Sequence, residues 1–342
     1  FLKEIEVVKE ERRLRTEDRP RALLYEHLNA TAFMASPYRR PVVGWMSDLE
    51  RERLAAAIRE ANTRPATIAG RAFSKGVYGD HPYGYEMTEA TLARIGVADM
   101  RALHARLIAP CRAKVSIVGA LNRAQADALV TQFLAGLPPG DAACAPLPAV
   151  PEVAPLTAPQ DRRIPFDAAQ AHVFIGQPGH RRNDPDFFAL LVGNYTLGGG
   201  GFVSRLTTEV REKRGLSYSV YSYFSPGLHA GAFSVGLQTR PDQAEQALQV
   251  SREVVAAFVA DGPTPAELQA AKDNLIGGFA LRIDSNRKLL DNVANIAWNE
   301  LPLDYLDSWT RQVEAVTAAD VRAAFARKLQ PQRMVTVVVG GG

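Results

Sequence analysis

The sequence predicts a mixed helix-and-strand protein assembled from two copies of one domain. Three observations point there. Amphipathic helical segments alternate with short β-branched runs, a Pro-rich stretch divides the chain, and one segment recurs without a gap. Sliding the sequence by 221 positions lays residues 98–119 (ADMRALHARLIAPCRAKVSIVG) on 319–340 (ADVRAAFARKLQPQRMVTVVVG). Asp99/Asp320, Arg101/Arg322, Arg106/Arg327, Pro110/Pro331, Arg112/Arg333 and Gly119/Gly340 coincide, so both halves close on one helix–turn–strand unit. The second copy opens near residue 165. On the same offset its partner opens before residue 1, so the first domain is expected to be incomplete at its N-terminus.

Thirteen of residues 1–21 are charged, which matches neither a signal peptide nor a transit peptide. Residues 1–18 read as a solvent-facing helix with a thin apolar stripe at Ile5, Val8 and Leu14. Further helices are expected at 21–33, 50–62, 65–78, 95–108 and 122–136, with SPYRRP and GDHPYGY as loops and Val115–Val118 as a strand. Pro138 to Pro165 holds eight prolines and little periodicity, as a linker does. Beyond it, AHVFIGQ (171–177) is a strand, and Asp184-Pro185 opens a helix that runs to Gly198–Gly201. A helix at 203–213 stops at Gly215, a natural C-terminal cap. Strands near 216–224 and 231–238 precede a helix at 242–260, and Thr264, Pro265 and Glu267 form a capping box for the next one. A helix at 317–328 and the strand Val335–Val339 close the chain.

A shorter repeat has an offset of 45. Arg19-Pro20 matches Arg64-Pro65 and Ser36-Pro37-Tyr38 matches His81-Pro82-Tyr83, which sets Glu11 opposite Ala56. Residues 1–49 and 50–145 then read as equivalent pieces of two related domains, one with the acid and one without it.

Composition narrows the function. A net charge of +3, with 46% hydrophobic and 23% charged residues, is ordinary for a globular chain and excludes a disordered tail, a fibrous repeat and a highly charged nucleic-acid binder. No apolar run approaches the ~18 residues of a membrane helix. Cys111 and Cys144 are too few for a zinc ribbon or a disulfide-built scaffold.

Four features carry potential chemistry, each beside a plainer reading. Glu4 and Glu11 are two helical turns apart and share a face, as a metal ligand and its orienting carboxylate do; a solvated charged face has the same spacing. No two of the six histidines have the i, i+4 spacing of a zinc helix, and neither H-x-x-E-H nor H-E-x-x-H occurs. His81, before Pro82, reads as a loop anchor, and His27 as a local hydrogen-bonding group. The Gly198–Gly201 run lacks the lysine of a phosphate loop and reads as a helix terminus, or as bare backbone against which an extended peptide lies. Arg211, in the last turn of its helix, and Tyr218, just beyond the corner, project to one side. They form either a clamp for a peptide carbonyl or an ordinary surface pair.

LGGGGFVSRLTTEVREKRGLSYSVYSYF, TPAELQAAKDNLIGGFALRIDSN and the closing VTVVVGG resemble the C-terminal half of pitrilysin/insulinase-type zinc metallopeptidases, the group that includes the mitochondrial processing peptidases. The resemblance implies an α+β fold of duplicated domains, with a mixed, largely antiparallel sheet covered by helices. It divides the chain into 1–49, a fragment like the zinc-ligand glutamate region; 50–137, the rest of an N-terminal peptidase-like domain; a linker, 138–165; and a C-terminal domain, 166–342. By resemblance Glu11 matches the third zinc ligand, Glu4 its companion acid, and Arg211 and Tyr218 the pair that binds the substrate backbone. The family's cofactor is Zn, but without H-x-x-E-H this chain alone is expected to hold none and to be inactive. Residues 50–342 look like the non-catalytic, Arg/Tyr-bearing partner type, so either residues are omitted near 49–50 or two pieces are fused. The functions implied are extended-peptide binding by a non-catalytic peptidase-family chain, completion of a zinc-bearing partner's chamber, or a structural assembly role. A peptide or protein substrate and a homologous peptidase subunit are the expected partners, with no nucleic acid and no membrane span. The family suggests a periplasmic location, with the cytoplasm as the alternative.

Overall fold

The computed structural model describes residues 2–14, 46–137 and 144–341, in two compact units. The expected helix at 21–33, His27 and the first members of the 45-residue repeat lie outside the described residues. One unit contains α1 (Leu2–Arg12), α2 (Met46–Asn62), α4 (Glu89–Arg94) and most of α5 (Val97–Leu107). Helix α1 is not wholly solvent-facing. Ile5, Lys9 and Arg12 are buried along one face, and the Lys9 ammonium is paired with Glu50 and Glu6. Ala55 and Ile58 of α2 bury against Leu92 of α4, a helix opened by the reciprocal hydrogen bonds of Thr88 and Thr91.

The other unit joins α3 (Pro65–Tyr78) and its following turn to residues 106–341. Its centre is a five-stranded mixed sheet made of β1 (Gln160–Ile164), β2 (Ala171–Pro178), β3 (Ser219–Phe224), β4 (Ala232–Thr239) and β5 (Val335–Val339). The order is β1-β5-β2-β4-β3; β1 and β5 are parallel and every other pair is antiparallel. The mixed, largely antiparallel α+β architecture is thus the one expected. Strand β1 lies inside the Pro-rich segment, where it pairs along the outer side of β5.

Alternation along the strands decides which face each residue serves. Val173 and Ile175 of β2, Phe233, Val235 and Leu237 of β4 and Val338 of β5 point into the main core. There they meet α7 (Phe187–Asn194), α8 (Ala244–Asp261), α9 (Pro265–Gly277), α10 (Asn286–Trp298), α11 (Tyr305–Ala315) and α12 (Ala318–Lys328). Phe174, Val335, Val337 and Val339 point the other way, where Ala69, Phe73 and Val77 of α3 cover them. The cover is close because glycine stands on both sides of it. A Cβ at Gly76 of the helix would come within 2.7 Å of Val335, and one at Gly176 of β2 within 2.8 Å of the Phe73 ring and 2.0 Å of the Phe233 carbonyl oxygen.

One expectation is corrected here. Residues 115–118 do not form a strand. Val115 and Ile117 are 43% and 39% exposed, whereas their repeat counterparts Thr336 and Val338 are buried in β5. A strand exists through its ladder, and no described strand lies beside 115–118. The repeat is therefore visible as a helix and a 3-10 turn, α5 with Pro110–Arg112 against α12 with Pro331–Arg333. The two cysteines, too few for a scaffold, still form a bridge. Cys111 and Cys144 tie that first turn to the start of the Pro-rich segment, before which α6 (Arg123–Ala135) intervenes.

Candidate functional site

The corner between α7 and β3 holds the two residues singled out as a clamp. Helix α7 widens into a π-helical turn at Tyr195–Gly199, followed by a 3-10 turn at Gly201–Val203. Packing requires small residues here. A Cβ at Gly198 would lie 2.5 Å from the Ser222 nitrogen, at Gly199 2.8 Å from Asn194 Nδ2, and at Gly200 2.7 Å from the Tyr195 carbonyl oxygen. Below this turn Asn194 Nδ2 donates to the Ser222 carbonyl (3.0 Å) and Ser222 Oγ donates to Asn194 Oδ1 (2.8 Å). The glycine run is accordingly a packed helix terminus.

The next helix, expected to be regular over 203–213, is π-helical over Thr207–Glu212. Its inner side is apolar, with Leu206 and Val210 completely buried. It ends where Gly215 takes φ +62°, a left-handed conformation that glycine adopts without Cβ strain. Gly215 N–H donates to the Arg211 carbonyl and Leu216 N–H to that of Val210, satisfying the last carbonyls. Strand β3 starts at Ser219, three residues later than expected. Before it, the Leu216 carbonyl accepts from Thr239 Oγ1 and Ser217 Oγ donates to the Ser219 and Gln238 carbonyls, so side chains rather than ladder bonds hold this stretch.

The outcome is an exposed Tyr218 (81%) beside a half-buried Arg211. The guanidinium carbon of Arg211 stands 4.9 Å from the centre of the Tyr218 ring and 4.7 Å from that of Phe202. The neighbouring cations have a carboxylate: Lys213 and Arg214 both donate to Glu209 at 2.6 Å. Arg211 has no such partner among the described residues, and its planar fork of N–H donors is open. A phenol and an open guanidinium side by side suit oxygen acceptors such as main-chain carbonyls or a carboxylate.

Arg205 anchors this helix from its first turn. It donates from Nε and one terminal nitrogen to the two carboxylate oxygens of Glu267, both at 2.7 Å, and to the Gly262 carbonyl at 2.9 Å. Arg205 holds the Glu267 carboxyl down at about 2, helped by the Thr264 N–H and hydroxyl, which donate to the same group. The expected capping box of α9 is therefore also an ion-pair anchor.

Glu4 and Glu11 lie on α1, in the first unit, and Glu11 is half-buried. Among the described residues no group of three or more His, Cys, Asp or Glu could hold a metal ion. One carboxylate does not fit zinc, which takes about three protein ligands and a water in a catalytic site. His81 does anchor its loop: Nδ1 accepts from Tyr83 N–H (3.1 Å), which leaves Nε2 to donate to the Pro151 carbonyl (2.9 Å). Phe202 and the Arg205–Glu267 pair escaped sequence reasoning. An apolar residue directly after four glycines was the available signal for the first, but its exposure is a tertiary property.

The family model of the peptidase M16 inactive domain matches residues 94–275. An uncharacterized zinc protease of Mycobacterium leprae is 30% identical over 298 residues, 86% of this chain and 66% of that protein. The chain thus spans about two thirds of the length of that relative. A Helicobacter pylori protein described as a non-peptidase homolog is 31% identical over 159 residues, covering 45% of this chain and 36% of that one. Among solved structures, the peptidase M16 inactive domain from Pseudomonas fluorescens matches with a TM-score of 0.81 and 34% identity, over 86% of this chain and 70% of that chain. Sequence pattern, sheet topology and these matches agree, and the chain belongs to the peptidase M16 inactive-domain family.

Proposed function

We propose that this chain binds the main chain of an extended peptide through Arg211 and Tyr218, and serves as the non-catalytic member that completes the substrate chamber of a zinc-bearing peptidase partner. The observation that carries the reading is the open guanidinium of Arg211 beside an exposed phenol, at a helix–strand corner whose backbone is fixed by packing. Main-chain carbonyls are the acceptors every peptide offers, so such a pair holds a chain without reading its sequence. The inactive-domain match supports a binding role over a cleaving one.

Fluorescein-labelled β-casein, a chain without stable structure, is the probe for this reading, with binding followed by anisotropy. Charged hydrogen bonds contribute about 1.5–3 kcal/mol, so Arg211→Ala is expected to weaken binding roughly tenfold or more. Tyr218→Phe removes one neutral donor and is expected to weaken it about two- to tenfold. Wild-type affinity in both variants overturns the proposal. Restored cleavage on mixing with an M16-type zinc peptidase, diminished by the same substitutions, is the outcome expected for the chamber role.

A further inference from the structure

The Arg211 guanidinium is oriented without a hydrogen-bonding partner among the described residues. A long, charged side chain at a surface normally samples many rotamers, and ordering it on binding reduces affinity. Here two aromatic rings flank the guanidinium, Tyr218 at 4.9 Å and Phe202 at 4.7 Å. Phe202 is 67% exposed, and its backbone is set by the 3-10 turn Gly201–Val203. That turn begins at Gly201 with φ +61° and ends with Ser204 Oγ donating to the Gly201 carbonyl at 2.7 Å. The ring therefore stands on a fixed backbone and offers its face to the cation. Stacking occupies the flat faces of a guanidinium and leaves its N–H edge open, whereas an ion pair would occupy that edge.

We infer that Phe202 is a positioning residue: with Tyr218 it packs an aromatic ring against the Arg211 guanidinium and pre-orients its donor edge toward an incoming peptide oxygen. The inference rests on the peptide-binding reading above and adds the means by which an unpaired arginine is held ready. It also explains why an apolar side chain is left at the tip of the turn.

Phe202→Leu keeps an apolar side chain of similar size and removes the aromatic face; Phe202→Trp keeps the face. Two readouts separate stacking from plain contact. The first needs no ligand. In NMR spectra of the full chain, the Arg211 side-chain protons are expected to lie upfield through ring currents, to move toward random-coil positions in Phe202→Leu, and to stay upfield in Phe202→Trp. The second is β-casein anisotropy, where Phe202→Leu is expected to bind about two- to fivefold more weakly and Phe202→Trp like wild type. Arg211 resonances unmoved by Phe202→Leu, or equal binding by Phe202→Leu and wild type, overturn the positioning role. Loss of affinity in Phe202→Trp equal to that in Phe202→Leu also overturns it. If Arg211→Ala itself binds β-casein normally, the peptide reading fails, while the NMR result still decides whether Phe202 orders the guanidinium.

Discussion

Replacing Glu267 by Gln tests the ion pair that anchors the Arg211-bearing helix to the junction of α8 and α9. Glutamine keeps the size and can still accept from Thr264, so the capping geometry survives and only the charge is removed. Arg205 first, then the Thr264 donors, bring the carboxyl from its ordinary 4.5 to about 2. At about 1.36 kcal/mol per pKa unit, full transmission of that shift would be worth roughly 3.4 kcal/mol. The Arg205 and Glu267 side chains remain 23% and 29% exposed, and solvent screening reduces the expected loss in Glu267→Gln to about 1.5–2 kcal/mol. The pH dependence follows from the sign of the shift. A carboxyl whose folded pKa is depressed stabilises above its unfolded pKa, and that stability is lost as pH falls through the folded value. The gap between wild type and Glu267→Gln should be complete at pH 7, begin to close near pH 4.5, and shrink by more than half by pH 3. Urea unfolding followed by far-UV circular dichroism at pH 7, 4 and 3 measures it. Equal stability at pH 7, or a gap that stays constant on acidification, would refute an electrostatic anchor.

Two further outcomes follow from the packing. Phe73→Ala removes the ring that α3 lays on Gly176 and against Phe174, at 5.5 Å between ring centres, and is expected to destabilise the sheet-bearing unit by about 3 kcal/mol in the same assay. A loss below about 1 kcal/mol would mean that α3 is not integral to that fold. The Cys111–Cys144 bridge spans 33 positions, for which chain entropy predicts up to about 3–4 kcal/mol. Protein matured under oxidising conditions should titrate no free thiols, and Cys144→Ala should lower its stability; two titratable thiols in such a sample would contradict the bridge.

Much of the fold was legible because its causes are local. The capping box at Thr264 and Glu267, the helix stop at Gly215 and the strand at AHVFIGQ each depend on residues within a few positions, and each appears as read. The recurrence of 98–119 in 319–340 needed no structure, and neither did the proximity of Arg211 and Tyr218, since a helix ending four residues after one and three before the other leaves them little room to part.

Tertiary structure decided what depends on partners far along the chain. Similar sequence forms a buried strand at Val335–Val339 and a segment outside any strand, with Val115 and Ile117 exposed, at 115–118, because strand identity resides in the ladder and not in β-branched composition. Helix α3 reads from sequence as one amphipathic helix among several, yet it is the cover on one face of the sheet, through glycines 100 residues apart. Arg205 finds Glu267 across 62 positions, and Phe202 finds Arg211 across the turn at Gly201–Val203 and the first turns of the following helix. Propensity and capping act over one or two turns of chain; the ring contacts around Arg211 and the closure of the core are contacts between surfaces that exist only once those turns have packed.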